Sequence, residues 1–210
     1  MSERNAIFIS YRTDDARGAS GRLYDWLRIA FGRDQVFRDV ANLGAGRWRQ
    51  KIDEALARSC AVVAVIGPRW GNADNLPRLA APADVVRHEL LTALSDADLA
   101  LVLPTLVEGL SRRDIGPLAA QLPTELRPLF DEWNAIALTE EGWEDDTRRI
   151  VRAIADETRL PVGPDLDTLL HDAGRAAQRL AEMEQERNFQ RDQIEALRRT
   201  VDELTAKLAD

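Results

Sequence analysis

AVVAVI, residues 61–66, is apolar throughout and largely β-branched, and Gly67-Pro68 break it at once. A run this short and this uniformly apolar reads as a strand buried on both faces, as an inner strand of a parallel sheet is. The stretches around it carry helical periodicity. Residues 48–59 place Ile52, Ala55 and Leu56 on one face. Residues 83–94, ADVVRHELLTAL, place Val85, Val86, Leu90, Ala93 and Leu94 there, with Asp84 as N-cap and Glu89 at the border of the apolar face.

Farther out the pattern repeats. AIFIS at 6–10 is a second short apolar run, ending in the polar turn formed by Tyr11, Arg12, Thr13, Asp14 and Asp15. Residues 16–31 repeat Ala19, Leu23, Leu27 and Ala30 before Gly32, the expected C-cap. Further strands are expected at 35–37, at 99–103 with Pro104 ending it, and at 135–138. Residues 71–82 read as a loop, 108–133 as a Pro-rich irregular segment with short helical turns, and 141–157 as a closing helix. Strands alternating with helices predict an α/β fold, a five-stranded parallel sheet with helices on both faces, whose ligand sits beyond the carboxyl ends of the strands. The loops after Ile9, Phe37 and Ile66 then share one rim with the helix that carries Glu89.

Composition narrows the function. The chain has 210 residues, 45% of them hydrophobic, enough for one core with length left over. Its net charge of -8 argues against a nucleic-acid partner, because a phosphate-binding surface needs a basic excess. Cys60 is the single cysteine and lies in an apolar run, which gives neither a disulfide framework nor a zinc cluster and suits a cytoplasmic protein. No run reaches the roughly 18 apolar residues of a membrane span, so no membrane association is expected. Lysine occurs only at Lys51 and Lys207 against many arginines, a composition that suits a GC-rich bacterial genome.

Pro161, Gly163 and Pro164 interrupt the chain, and the expected organisation is a domain at 1–160, a linker at 161–164 and a helix at 165–210. In that last segment Leu166, Ala173, Leu180, Ile194, Val201 and Leu208 alternate by three and four with Leu169, Ala176, Met183, Leu197 and Leu204. Only Arg187 and Gln190 break the seam. A repeat held this long predicts a coiled coil, with a parallel dimer favoured by β-branched residues in one set and Leu in the other. The alternative is a helix folded back on the domain.

Several enzyme classes lack their signatures. There is no G-x-G-x-x-G after the first strand and no P-loop. A phospho-receiver would need Asp where Gly67-Pro68 stand, and His88 and His171 are too scattered for a metal site or a triad, so no metal is expected.

The opening FISYR with an acidic pair, GRLYDWL, QVFRDVANL, IDEALARSCAVVAVIGPRW and VRHELLTAL, in this order, resemble the Toll/interleukin receptor (TIR) domains of bacterial type, over about residues 5–158. The resemblance implies a flavodoxin-like TIR fold, assembly through contacts between TIR domains, and, as in many bacterial members, cleavage of NAD at the nicotinamide ribosyl bond by one glutamate, with a place in defence against phage. Glu89 stands at the matching position of the HEL motif. The gating loop of the family corresponds to residues 39–47, where Asp39, Asn42 and Leu43 are expected to contact substrate. This loop has Gly44-Ala45-Gly46 where family members often carry proline. Val85 and Val86 stand where an aromatic often precedes the glutamate, so Trp48 or Trp70 is expected to supply base stacking.

One carboxylate is chemically sufficient for this bond. Glycosidases usually pair two because the leaving alkoxide must be protonated. Nicotinamide leaves as a neutral molecule from a cationic pyridinium, which leaves only the developing oxocarbenium charge to stabilise. NAD is then a substrate, and no cofactor is expected. Ser10, Tyr11 and Arg12 at the end of the first strand are candidate substrate contacts. Their structural alternatives are a strand cap, a packed ring and a surface salt bridge. The competing function is a non-catalytic module that binds other TIR domains, as an adaptor or as an effector disturbing a host's signalling.

Removing residues 165–210 is expected to leave a soluble domain that needs far higher protein concentration for activity, since tethering raises effective concentration to roughly millimolar. Light scattering checks the premise: an intact chain that runs as a monomer at roughly tens of micromolar removes the coiled coil, whose self-association the expectation requires.

Overall fold

The computed structural model describes residues 4–38 and 48–163, the side chain of Trp48 excepted. The expected gating loop with Asp39, Asn42 and Leu43, and the expected coiled coil at 165–210, lie outside the described residues.

Five parallel strands run β1 (Ala6–Tyr11), β2 (Val36–Phe37), β3 (Ser59–Ile66), β4 (Leu101–Leu106) and β5 (Ile136–Ala137), and their order across the sheet is β2-β1-β3-β4-β5. This is the flavodoxin-like order, in which the sense of the connections reverses between β1 and β3 and opens a crevice beyond their carboxyl ends. β3 is central and buried at all eight positions, as its uniform apolar run demands. Its register with β1 runs Phe8↔Val62, Ile9↔Val63 and Ser10↔Ala64, so even positions of β1 share a face with even positions of β3.

Seven helices among the described residues cover the sheet. α1 (Thr13–Phe31) and α7 (Trp143–Thr158) bury Leu23, Leu27, Ile150, Val151 and Ile154 and pack together on one face. α2 (Trp48–Arg58) and α4 (Val85–Leu94) cover the other, where Ile52, Leu56, Val86 and Leu90 join Phe8, Val62 and Val102 in one core. Each fully buried Leu or Ile there contributes roughly 1.5–3 kcal/mol from its removal from water. α3 (Asn75–Ala80), α5 (Ile115–Gln121) and α6 (Pro128–Asp131) are short connectors.

Three expectations change. Residues 71–82 contain α3 rather than an unbroken loop: Asn72 Oδ1 accepts from the amides of Asp74 and Asn75, Pro77 falls in the first turn where no amide partner is needed, and Leu79 is fully buried. β4 passes through Pro104 instead of stopping there. Val107 N donates to Ile66 O while Leu138 N donates to Leu106 O, so odd residues of β4 face β3 and even ones face β5. β5 pairs only from Thr105 onward, and Pro104 therefore meets an edge that asks for no donor. α1 starts at Thr13, three residues early, with a break from helical geometry at Ala16 (φ -135°). It ends as expected at Gly32, whose φ of 105° suits glycine.

A strap joins α1 to the end of β3. The buried Asp15 carboxylate accepts from Gly67 N at 2.9 Å and Arg69 N at 2.7 Å, and burial pushes its pKa above the ordinary value despite those bonds. A Cβ on Gly67 would lie 2.6 Å from Asp15 Oδ1. Gly67→Ala is therefore expected to destabilise by roughly 1–3 kcal/mol through overpacking, read as a melting temperature lowered by about 2–4 °C per kcal/mol in a domain of this size.

Candidate functional site

The site is built where α4 crosses the end of β1. α4 starts at Asp84, whose Oδ1 accepts from Arg87 N at 2.9 Å and so closes the first turn, as the sequence predicts. Its buried positions are Val86, Glu89, Leu90 and Ala93. These follow the i, i+3, i+4, i+7 spacing of a single helical face. Glu89 thus lies inside the inward face rather than at its border, and is only 8% exposed.

A buried carboxylate requires donors. Ser10 supplies one: its Oγ donates to Glu89 Oε2 at 2.6 Å across a sequence separation of 79 residues. Ser10 is itself 1% exposed and stands on the face of β1 that carries Phe8, where α4 packs. The structure thus joins the strand-end serine to the HEL glutamate beside the β1–β3 crevice.

Arg12 departs from its expected place. Its Nη1 donates to Asp84 Oδ2 at 3.0 Å and its Nη2 to Asp84 Oδ1 at 2.9 Å, with both side chains nearly free of solvent. The ion pair is buried, where the sequence offered a surface one, and both terminal nitrogens of the guanidinium fork are engaged by Asp84. Tyr11 points to the opposite face, as alternation along a strand requires. Its ring lies under the Arg38 guanidinium at 4.6 Å, and Arg38 in turn donates to Ser20 Oγ and Arg17 O of α1. Trp70 is a correction: the ring is 1% exposed within the core of Leu79 and Leu90, which leaves it no face for a substrate base. Its large apolar surface gains more from that core than from the rim. His88 pairs with Asp53 of α2 at 2.7 Å on the outer side.

Among the described residues, therefore, Ser10 and Glu89 meet directly, Arg12 joins them through the cap of α4, and Tyr11 and Trp70 stand apart. Sequence reasoning assigned Asp84 only a cap and missed its ion pair, and it left Arg38 and Asp15 without roles. Asp15 had a visible signal in the acidic pair after FISYR. A cavity of about 350 Å³ lies beyond β3 and β4, lined by Gly67, Pro68, Leu110, Leu118 and Gln121 among others, and shares no residue with the Ser10–Glu89 site.

Residues 7–151 match the TIR domain family, a span of more than half the chain. No curated protein matches the chain. Ser10→Ala is expected to lower stability by roughly 1–3 kcal/mol, because a buried carboxylate would lose a hydrogen-bond donor. Urea unfolding measures it, and an unchanged midpoint would mean that the contact carries no net energy.

Proposed function

Because the chain belongs to the TIR domain family, we propose that it cleaves NAD at the nicotinamide ribosyl bond, with Glu89 as the carboxylate on which the reaction depends. The observation that carries this reading is the 2.6 Å bond from Ser10 Oγ to Glu89 Oε2, which orients a water-poor carboxylate beside the carboxyl end of β1. The C–N bond breaks with its electron pair going to nicotinamide, which leaves neutral, and the ribose carries the positive charge. A carboxylate held about 4 Å from that charge in surroundings of effective dielectric near 20 stabilises it by on the order of 4 kcal/mol. That is about a thousandfold in rate. Water then adds to the ribose carbon and releases a proton, giving ADP-ribose; a nucleophile of the same molecule gives a cyclic product instead. In this reading, assembly through TIR contacts, with residues 165–210 as the tether, switches the activity on, and the setting is defence against phage.

A second reading, a non-catalytic module that binds other TIR domains, is favoured by the burial of Trp70, which removes one expected stacking surface for the substrate. Incubating the purified chain with NAD and following free nicotinamide separates the two. Release is expected in the wild type, with a loss of about a thousandfold in Glu89→Gln at an unchanged melting temperature. Turnover within about threefold of wild type in a folded Glu89→Gln protein would take Glu89 out of the chemistry, and a folded wild type that releases none would leave the interaction module.

A further inference from the structure

Ser10 and Arg12 are alternate residues of an extended segment, so their side chains leave one face of the sheet about 7 Å apart. Asp84, the extended N-cap, and Glu89 are five positions apart, and the four helical steps from Val85 to Glu89 alone span about 6 Å along the axis. The two spacings are close. The contacts also run in opposite order, Ser10 to Glu89 and Arg12 to Asp84, so α4 lies antiparallel to β1 and touches it through polar groups at two points. From this juxtaposition we propose that Arg12 and Asp84 are positioning residues that set the place of the Glu89 carboxylate. The inference rests on the proposed role of Glu89 as the reacting group.

One contact between a strand and a helix fixes a point; a second fixes the rotation and the height of the helix. The apolar contacts of Val86, Leu90 and Ala93 supply adhesion, but they are not directional. A bidentate guanidinium–carboxylate fork is directional, because both N–H···O bonds form only in one relative orientation. Asp84 also ties that fork to the helix itself, since the oxygen that receives Arg12 Nη2 also accepts the Arg87 amide. Any rotation of α4 therefore strains the fork and the cap together. Burial sharpens the point: the Arg12 side chain is 0% exposed and that of Asp84 7%, and buried ion pairs can often be replaced by apolar groups without loss of stability, so stability alone does not account for this one. Both terminal nitrogens of Arg12 donate to Asp84, which separates this role from the substrate contact that the sequence suggested.

The test uses the full chain carrying Arg12→Met together with Asp84→Asn. Removing both charges leaves no unpaired ion in the interior, and Asn still caps the helix. The expected result is a near-normal melting temperature, a kcat for NAD cleavage lowered by about tenfold or more, and a KM within about twofold of wild type, because a displaced reacting group weakens the transition state and not substrate binding. The carbon-13 signal of the Glu89 carboxyl is expected to move from its wild-type position. Arg12→Lys, which keeps the charge and loses only the fork, serves if the double variant fails to fold, and is expected to show a smaller fall in kcat with the same constancy of KM. A rise confined to KM would make Arg12 a substrate contact and overturn the proposal, as would wild-type kcat with an unmoved Glu89 signal. If the wild type itself releases no nicotinamide, the enzymatic reading falls by that result alone. The Glu89 signal then decides the positioning role: displaced in the variants it stands, unmoved it is overturned.

Discussion

A strand buried along its whole length needs apolar cover on both faces, and β3 imposes that requirement on every element around it. α1 and α7 close one face and α2 and α4 the other, while β1 and β4 shield its edges. Parallel pairing then leaves the chain no short return, so each strand must be followed by a crossover that carries it back to the starting side. All strand ends consequently gather at one rim. The site is a by-product of that geometry: α4 belongs to the cover of β3, yet it reaches the end of β1 because the connections reverse between β1 and β3.

Four of the polar groups that the fold buries stand near the same rim. Ser10, Arg12, Asp15 and Glu89 are each under a tenth exposed, and each is hydrogen-bonded to a partner far away in sequence. Such groups destabilise unless paired, so their pairing ties loops to strands: Asp15 holds the backbone at Gly67 and Arg69, and Arg12 holds the start of α4. Pairing of this kind fixes the partners of these groups in place. A reacting carboxylate benefits from such fixed partners, because electrostatic stabilisation depends on dipoles already oriented before the reaction.

Burial also redistributes the roles that residue type alone suggests. Tyr11 ends β1 and Trp70 follows β3, and both carry aromatic surface, but Trp70 is absorbed by the core on the α4 side and Tyr11 lies toward α1 beneath Arg38. Arginine, often a phosphate ligand, is used at Arg12 as an internal fork.

Local signals were sufficient for much of the architecture. The apolar run at 61–66, the 3.6-residue spacing of α1, α4 and α7, the cap at Asp84 and the stop at Gly32 are each decided by residues within a turn or two of one another, and a sequence displays such patterns directly. The HEL motif likewise marked Glu89 as the candidate carboxylate. Other features came only with the tertiary structure. That Glu89 faces inward onto Ser10, that Arg12 grips Asp84, that Trp70 is core, and that Pro104 sits harmlessly within β4 all depend on what lies opposite each residue. The partners of Ser10 and Arg12 are 79 and 72 positions away. No local period encodes a partner at that distance; the packing of α4 against β1 determines it.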